Sequence, residues 1–172
     1  MAVEIKKIYK EHMPSLRFIG KRYTDSDRQD GSFGAKWREW FGNGYFDVIE
    51  KLGASPKNGD SYLGAMRVLG GEFEYWIGML FPIDTQAPEG FESADIASMD
   101  IATCWLYGKE KNGELFGLEV HEKCVEEMAK QGFVRKGDDW CFERYNCPRF
   151  TSPDEKGNVI LDYCIAIEST GN

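Results

Sequence analysis

Histidine is nearly absent: His12 and His121 are the two in 172 residues. They fall in segments read as different elements, so a histidine-built zinc site is not expected. Cysteine offers no substitute. Cys104, Cys124, Cys141, Cys147 and Cys164 form no CxxC pair. Their odd number, without a secretory signal, points to free thiols in a reducing compartment. No spacing sets a cysteine beside a histidine as a nucleophile pair. Long apolar runs are missing too, so no membrane-spanning helix is expected. The first residues, MAVEIKKIYKEHMP, contain no signal-peptide apolar core, which leaves the cytoplasm as the default location. Basic charge is in deficit, with 21 Lys and Arg against 29 Asp and Glu and a net charge of −8. A phosphate backbone needs a basic face, so nucleic acid is not an expected partner. The same balance suits cationic ligands. No Walker-type loop, nucleophile elbow or dinucleotide fingerprint is present, and no cofactor is expected.

Aromatic residues are abundant, at five Trp, eight Tyr and eleven Phe. Such a surplus fills either a large core or a ring-lined pocket. With 42% hydrophobic and 29% charged residues, the chain reads as one globular domain over 1–172, able to bury a core without disulfides.

Periodicity gives the elements. LRFIGKRY (16–23) alternates as a strand that begins near Glu4. The spacing of Trp37, Trp40, Phe41, Val48 and Leu52 predicts a helix over 35–52, weakened by the glycines of 42–44. GASPKNGD (53–60) is a break. SYLGAMRVL (61–69) and FEYWIGMLF (73–81) form a hairpin about a Gly-Gly turn. PIDTQAPEGFESADIAS (82–98) reads as a polar loop. MDIATCWLY (99–107) is a strand, and 114–132 is a helix with Leu118, Val125, Met128 and Ala129 along one face. DDWCFERYN (138–146) is a strand, CPRFTSPDEKGN a loop, and VILDYCIAIE (159–168) the last strand.

Strand–helix–strand–strand thus occurs twice, over about 1–82 and 97–170, at an offset of roughly 80 residues. An α+β fold is expected, in which the two units join one antiparallel sheet with helices on one face. The other face would be a concave groove suited to a ligand.

Four stretches carry a resemblance across most of the chain: LRFIGKRYT, AKWREWF, YWIGMLFP followed by APEGF, and CFERYN. In that order they resemble the GyrI-like small-molecule-binding family. Its members include effector-binding domains of AraC-type and MerR-type regulators and stand-alone proteins. The first strand lies close to Met1, so the chain is similar to a stand-alone member. One departure is the second helix, where VEEMAKQGF replaces the usual Trp-Leu-Pro-like stretch. The resemblance implies a pseudo-two-fold between the units and a ligand groove with an acid, Glu143, as its anchor. It also implies that members bind lipophilic cations, hydrolyse strained cyclopropane-containing natural products, or bind gyrase.

Alternation puts Cys141, Glu143 and Tyr145 on one face and Trp140, Phe142 and Arg144 on the other. With Phe142 toward the helix, Glu143 and Tyr145 face the groove. A carboxylate there loses hydration. A cation would compensate it and gain attraction from the rings. In the hydrolase reading Glu143 and Tyr145 are catalytic, with Glu143 as general acid or base. The other reading pairs Glu143 with Arg or Lys across a solvated face. Trp105 and Tyr107 share a face with Ile101 and Thr103 and are groove candidates. Tyr75 and Trp76 point to opposite sides, with Glu74 beside Trp76. Trp40 or Phe41 would cap a groove end. The expected functions are binding of a hydrophobic, cationic or planar small molecule, hydrolysis of a strained electrophile, or interaction with a protein partner. A homodimer is compatible with each.

Overall fold

The computed structural model describes residues 3–53, 61–145 and 147–169. The break predicted at 53–60 lies, apart from Gly53, outside them. The fold is α+β. Eight strands occur among the described residues: β1 (Glu4–Met13), β2 (Leu16–Tyr23), β3 (Leu63–Leu69), β4 (Glu72–Phe81), β5 (Glu92–Ile96), β6 (Met99–Gly108), β7 (Cys141–Arg144) and β8 (Val159–Ile167). The helices are α1 (Gly34–Gly42), α2 (Tyr45–Glu50), α3 (Leu118–Lys130) and α4 (Pro148–Thr151). Every pairing described below is antiparallel.

Two compact units divide the chain, one of residues 14–98 and one of 1–13 with 99–172. In the first, β4 lies between β3 and β2, and β5 adds to β2. In the second, β8 lies between β7 and β6, and β1 adds to β6. The order β3-β4-β2-β5 therefore repeats as β7-β8-β6-β1, which is the strand–helix–strand–strand repetition read from the sequence. The outer strands are exchanged in chain order. β1 precedes β2 yet pairs with β6, and β5 precedes β6 yet pairs with β2.

Several boundaries differ from the sequence reading, each for a local reason. The first predicted strand is two strands, because Pro14 has no backbone N–H to continue a ladder. The predicted helix over 35–52 is α1 and α2, parted where Gly44 takes φ +68°. The long polar loop contains β5, an outer strand whose sequence, ESADI, lacks a hydrophobic signal. α3 starts at Leu118, after Gly117 at φ +106°, and so is shorter than predicted. Its buried residues are Cys124 and Met128, while Leu118 is 71% exposed and Ala129 is also at the surface. The loop after β7 holds the short α4. The Gly-Gly hairpin turn forms as expected: Leu69 faces Glu72 in register, with Gly70 at φ +60° and Gly71 at φ +80°.

Much of the aromatic surplus lies in the core of the 14–98 unit. Trp40, Phe46, Phe33, Tyr23, Tyr75 and Phe81 are buried together with Ile19, Ile49, Ile77 and Met79. Phe33 stacks on Tyr75 at 4.2 Å and 2°. The indoles find acceptors here: buried Trp40 Nε1 donates to the Tyr23 hydroxyl at 3.0 Å and half-buried Trp37 Nε1 to that of Tyr75 at 2.9 Å. Each fully buried ring contributes about 2–3 kcal/mol.

The opposite face of the same sheet carries Glu74, which is buried. Arg67 Nε reaches its Oε1 at 2.8 Å, Trp76 Nε1 donates to the same oxygen at 3.0 Å, and Arg22 lies 3.5 Å from Oε2. Burial opposes the ionisation of Glu74, but these donors and charges outweigh it and hold the group below its ordinary value of 4.5. A carboxyl with a depressed folded pKa adds stability that is present above the unfolded value and lost as pH falls through the folded one. Wild type is therefore expected to lose urea resistance between pH 6 and pH 3. Glu74→Gln, already without the ion pair, should show a smaller loss over that interval.

Candidate functional site

The sheet of the second unit has two distinct faces, and both hold chemistry. On one face Glu143 of β7 stands directly opposite Tyr163 of β8, and Cys104 of β6 faces Tyr163 from the other side. Residues directly opposite in an antiparallel pair share a face. α3 lies over it. His121 Nδ1 is 2.6 Å from the Tyr163 hydroxyl, with the rings at 83°. One turn further along the helix is Cys124, a buried free thiol like Cys104, and its neighbourhood helps to raise the Cys104 pKa.

Glu143 is 8% exposed, so this is a buried carboxylate beside a buried phenol. Burial raises the Tyr163 pKa, and the thiol of Cys141 and the charge of Glu143 add to it. The phenol keeps its proton. Burial lowers the His121 pKa, and the Arg135 charge lowers it further. The imidazole is thus neutral near pH 7, and with its proton on Nε2 it accepts from Tyr163 at Nδ1. Burial pushes the Cys141 thiol up to about 11, which makes it a poor nucleophile. The result is a carboxylate, a phenol and an imidazole set side by side, capable of holding a cation or moving a proton.

The other face is a charged network among rings. Arg144 Nη2 reaches Glu11 at 2.7 Å and Asp162 at 3.2 Å. Arg149 of α4 binds Asp162 through Nη2 at 2.7 Å and Nε at 3.3 Å. Thr103 donates to Glu11 at 2.6 Å. Two carboxylates and two guanidiniums balance. Trp105 Nε1 donates to the Tyr9 hydroxyl at 3.3 Å, and the two rings meet edge to face. Burial opposes ionisation of Glu11, but hydrogen bonds from Arg144 and Thr103 keep its pKa below the ordinary value.

No family model matches the sequence, and no curated protein does. Solved structures do. SAV2435 bound to tetraphenylphosphonium superposes with a TM-score of 0.70 at 14% identity, over 95% of this chain and 94% of that one. The C-terminal domain of EcmrR gives 0.57 at 12% identity, over 99% and 100%. An integron cassette protein of Vibrio cholerae gives 0.53 at 14%, over 98% and 100%. The fold is GyrI-like. At these identities the likeness is one of fold.

The structure distributes the predicted site residues widely. Glu143 is buried on β7, but its side is the reverse of the one expected. Phe142 pairs with Cys164, whose thiol meets Thr103 on the face away from α3, so Glu143 is the residue on the α3 side. Tyr145 lies past the end of β7, edge-on to Phe150 at 4.9 Å. Trp105 and Tyr107 share the face of the charged network. The remaining four belong to the other unit. Trp76 lies beside Glu74. Tyr75 is on the opposite, helix-covered side, as alternation required. Trp40 is fully buried in the core, and Phe41 is 60% exposed on α1. Tyr163 and His121 were not singled out. Tyr163 meets Glu143 by strand register and His121 by helix packing, and neither leaves a local pattern. Among the described residues no group of His, Cys, Asp and Glu can hold a metal ion. Among the same residues no helix is long and apolar enough to cross a membrane.

Proposed function

We propose that this protein binds small lipophilic cations of planar or aromatic type, in the manner of an effector-binding domain, with Glu143 as the anchoring charge. The observation that carries the reading is the buried Glu143 carboxylate opposite Tyr163. A cation seated beside this carboxylate gains direct attraction in surroundings that screen charge less than water does. Tyr163 and His121 supply ring faces and edges. α3, which covers the site, buries only Cys124 and Met128 fully along its length, a narrow apolar hold that a ligand's rings can replace. SAV2435, of the same fold, was solved with tetraphenylphosphonium, which is such a cation.

Tetraphenylphosphonium titrated calorimetrically into wild type is expected to bind saturably, and neutral triphenylphosphine oxide to bind at least tenfold more weakly. Glu143→Gln should weaken the cation at least tenfold and leave the oxide unchanged. Equal cation affinity in both proteins, with the fold intact by circular dichroism, would remove Glu143 from the site.

A hydrolytic reading is favoured by the side-by-side acid, phenol and imidazole. In it, water adds across a strained ring bond: its oxygen bonds one ring carbon, Glu143 takes its proton and returns it to the other carbon, and the Tyr163 hydroxyl turns from His121 to the carbonyl that withdraws electrons from that bond. A cyclopropane-containing electrophile incubated with the protein would gain the mass of one water, and Glu143→Gln would abolish the gain.

A further inference from the structure

The geometry points to a second site of opposite polarity on the same unit: the ring row of Tyr9, Trp105 and Tyr107, with Lys6 and Lys7, binds small aromatic monoanions such as aryl sulfonates or carboxylates. β1 runs in register with β6 except at Lys6, where the pairing shifts between Ile5 and Lys7. A bulge of this kind breaks the alternation and brings two neighbouring side chains to one side. Both lysines accordingly fold over the rings of a single face. Lys6 Nζ lies 4.6 Å from the Tyr107 centroid, and Lys7 Nζ lies 4.9 Å from that of Tyr9 and 5.0 Å from that of Trp105. A third cation, Arg149, sits 4.5 Å from the Trp105 centroid.

Three cations thus lie on three adjacent rings in a chain of net charge −8, and Asp154 accepts from the Tyr107 hydroxyl at the end of the row. Two of them have carboxylate partners, Lys6 with Glu4 at 3.0 Å and Arg149 with Asp162 at 2.7 Å. Lys7 has no carboxylate within ion-pairing distance among the described residues; the two rings are its neighbours. β1 is an outer strand, and lysines with a bulge are a common way to blunt an edge against further pairing. Here, however, the ammonium groups turn back over the rings instead of projecting along the edge. The face they form is half-exposed and joins apolar ring surface to positive charge. An aryl anion matches both, its ring against Tyr9 and Trp105 and its charge between the two ammonium groups. The surrounding negative field disfavours a polyanion such as nucleic acid.

The test is calorimetric titration of naphthalene-2-sulfonate and neutral naphthalene-2-sulfonamide into wild type, Lys7→Gln, Lys6→Gln with Lys7→Gln, and Glu143→Gln. Wild type is expected to bind the sulfonate saturably and at least fivefold more tightly than the sulfonamide, with the difference shrinking in high salt. Lys7→Gln should lose most of that preference and the double variant all of it. Glu143→Gln should bind the sulfonate as wild type does, which separates this site from the cation site whatever becomes of the latter. No saturable binding by wild type would overturn the proposal. So would equal affinity for the two probes, an unchanged affinity in the double variant, or loss of sulfonate binding in Glu143→Gln. The lysines are exposed, so circular dichroism of the variants should match wild type.

Discussion

Gly78→Ala is expected to abolish cooperative folding of the 14–98 unit, and Gly20→Ala to do the same. The two glycines face each other in the β2–β4 ladder. A Cβ on Gly20 would stand 1.9 Å from the Ile77 carbonyl oxygen, and one on Gly78 would stand 2.1 Å from that of Ile19. Both obstacles are backbone, in strands whose neighbours Ile19 and Ile77 are fully buried. No rotamer change can relieve the overlap, so the strands must part. A strand separation in a close-packed core costs at least about 4 kcal/mol, a large share of the 5–15 kcal/mol that stabilises a typical domain. Gly42→Ala is the control, since nothing lies within 4 Å of its added Cβ. In a helix that change is expected to be neutral or stabilising by up to about 1 kcal/mol. Urea melts followed by tryptophan fluorescence would compare the three. A Gly78→Ala midpoint close to wild type would show that the strands do not approach as described.

The second large effect is expected at Asp162. Its side chain is 4% exposed and accepts from both Arg144 and Arg149. Asp162→Ala leaves Arg144, itself 18% exposed, with Glu11 as its remaining carboxylate. Removing one partner of a buried charge group is costly because the other charge stays buried. About 3 kcal/mol is expected, the lower end of the usual range, since Arg149 can turn toward water. Arg149→Ala, in contrast, removes a side chain that is 36% exposed and should cost under about 1 kcal/mol. Chemical denaturation of both variants checks the difference. Comparable losses would mean that Asp162 is solvated and the network is only a surface arrangement.

Fold class and repetition were legible in the sequence because they rest on local signals. Alternation marked 16–23, 73–81 and 99–107. Gly70 and Gly71 marked a turn that needs positive φ. Outer strand β5 was not legible, because ESADI pairs along a single partner strand and carries no apolar stripe. The side chosen by Glu143 was not legible either. Alternation divides residues between two faces but does not say which face a helix covers. That was decided by Tyr163, twenty positions away, meeting Glu143 in register and His121 on α3. The core role of Trp40 was hidden for a related reason. A tryptophan at helical spacing reads the same whether it packs inward or caps a cleft, until its indole is seen to donate to Tyr23.

The exchange of outer strands has a consequence for synthesis on the ribosome. β1 leaves the exit tunnel well before its partner β6, which begins at Met99. The whole of residues 14–98, with its own four strands, emerges in between and can close on itself while β1 waits unpaired. A strand made before the 14–98 unit is therefore placed after it. Its bulge and its lysines then do a second service, keeping a strand with open hydrogen-bonding groups from joining the wrong neighbour during that interval.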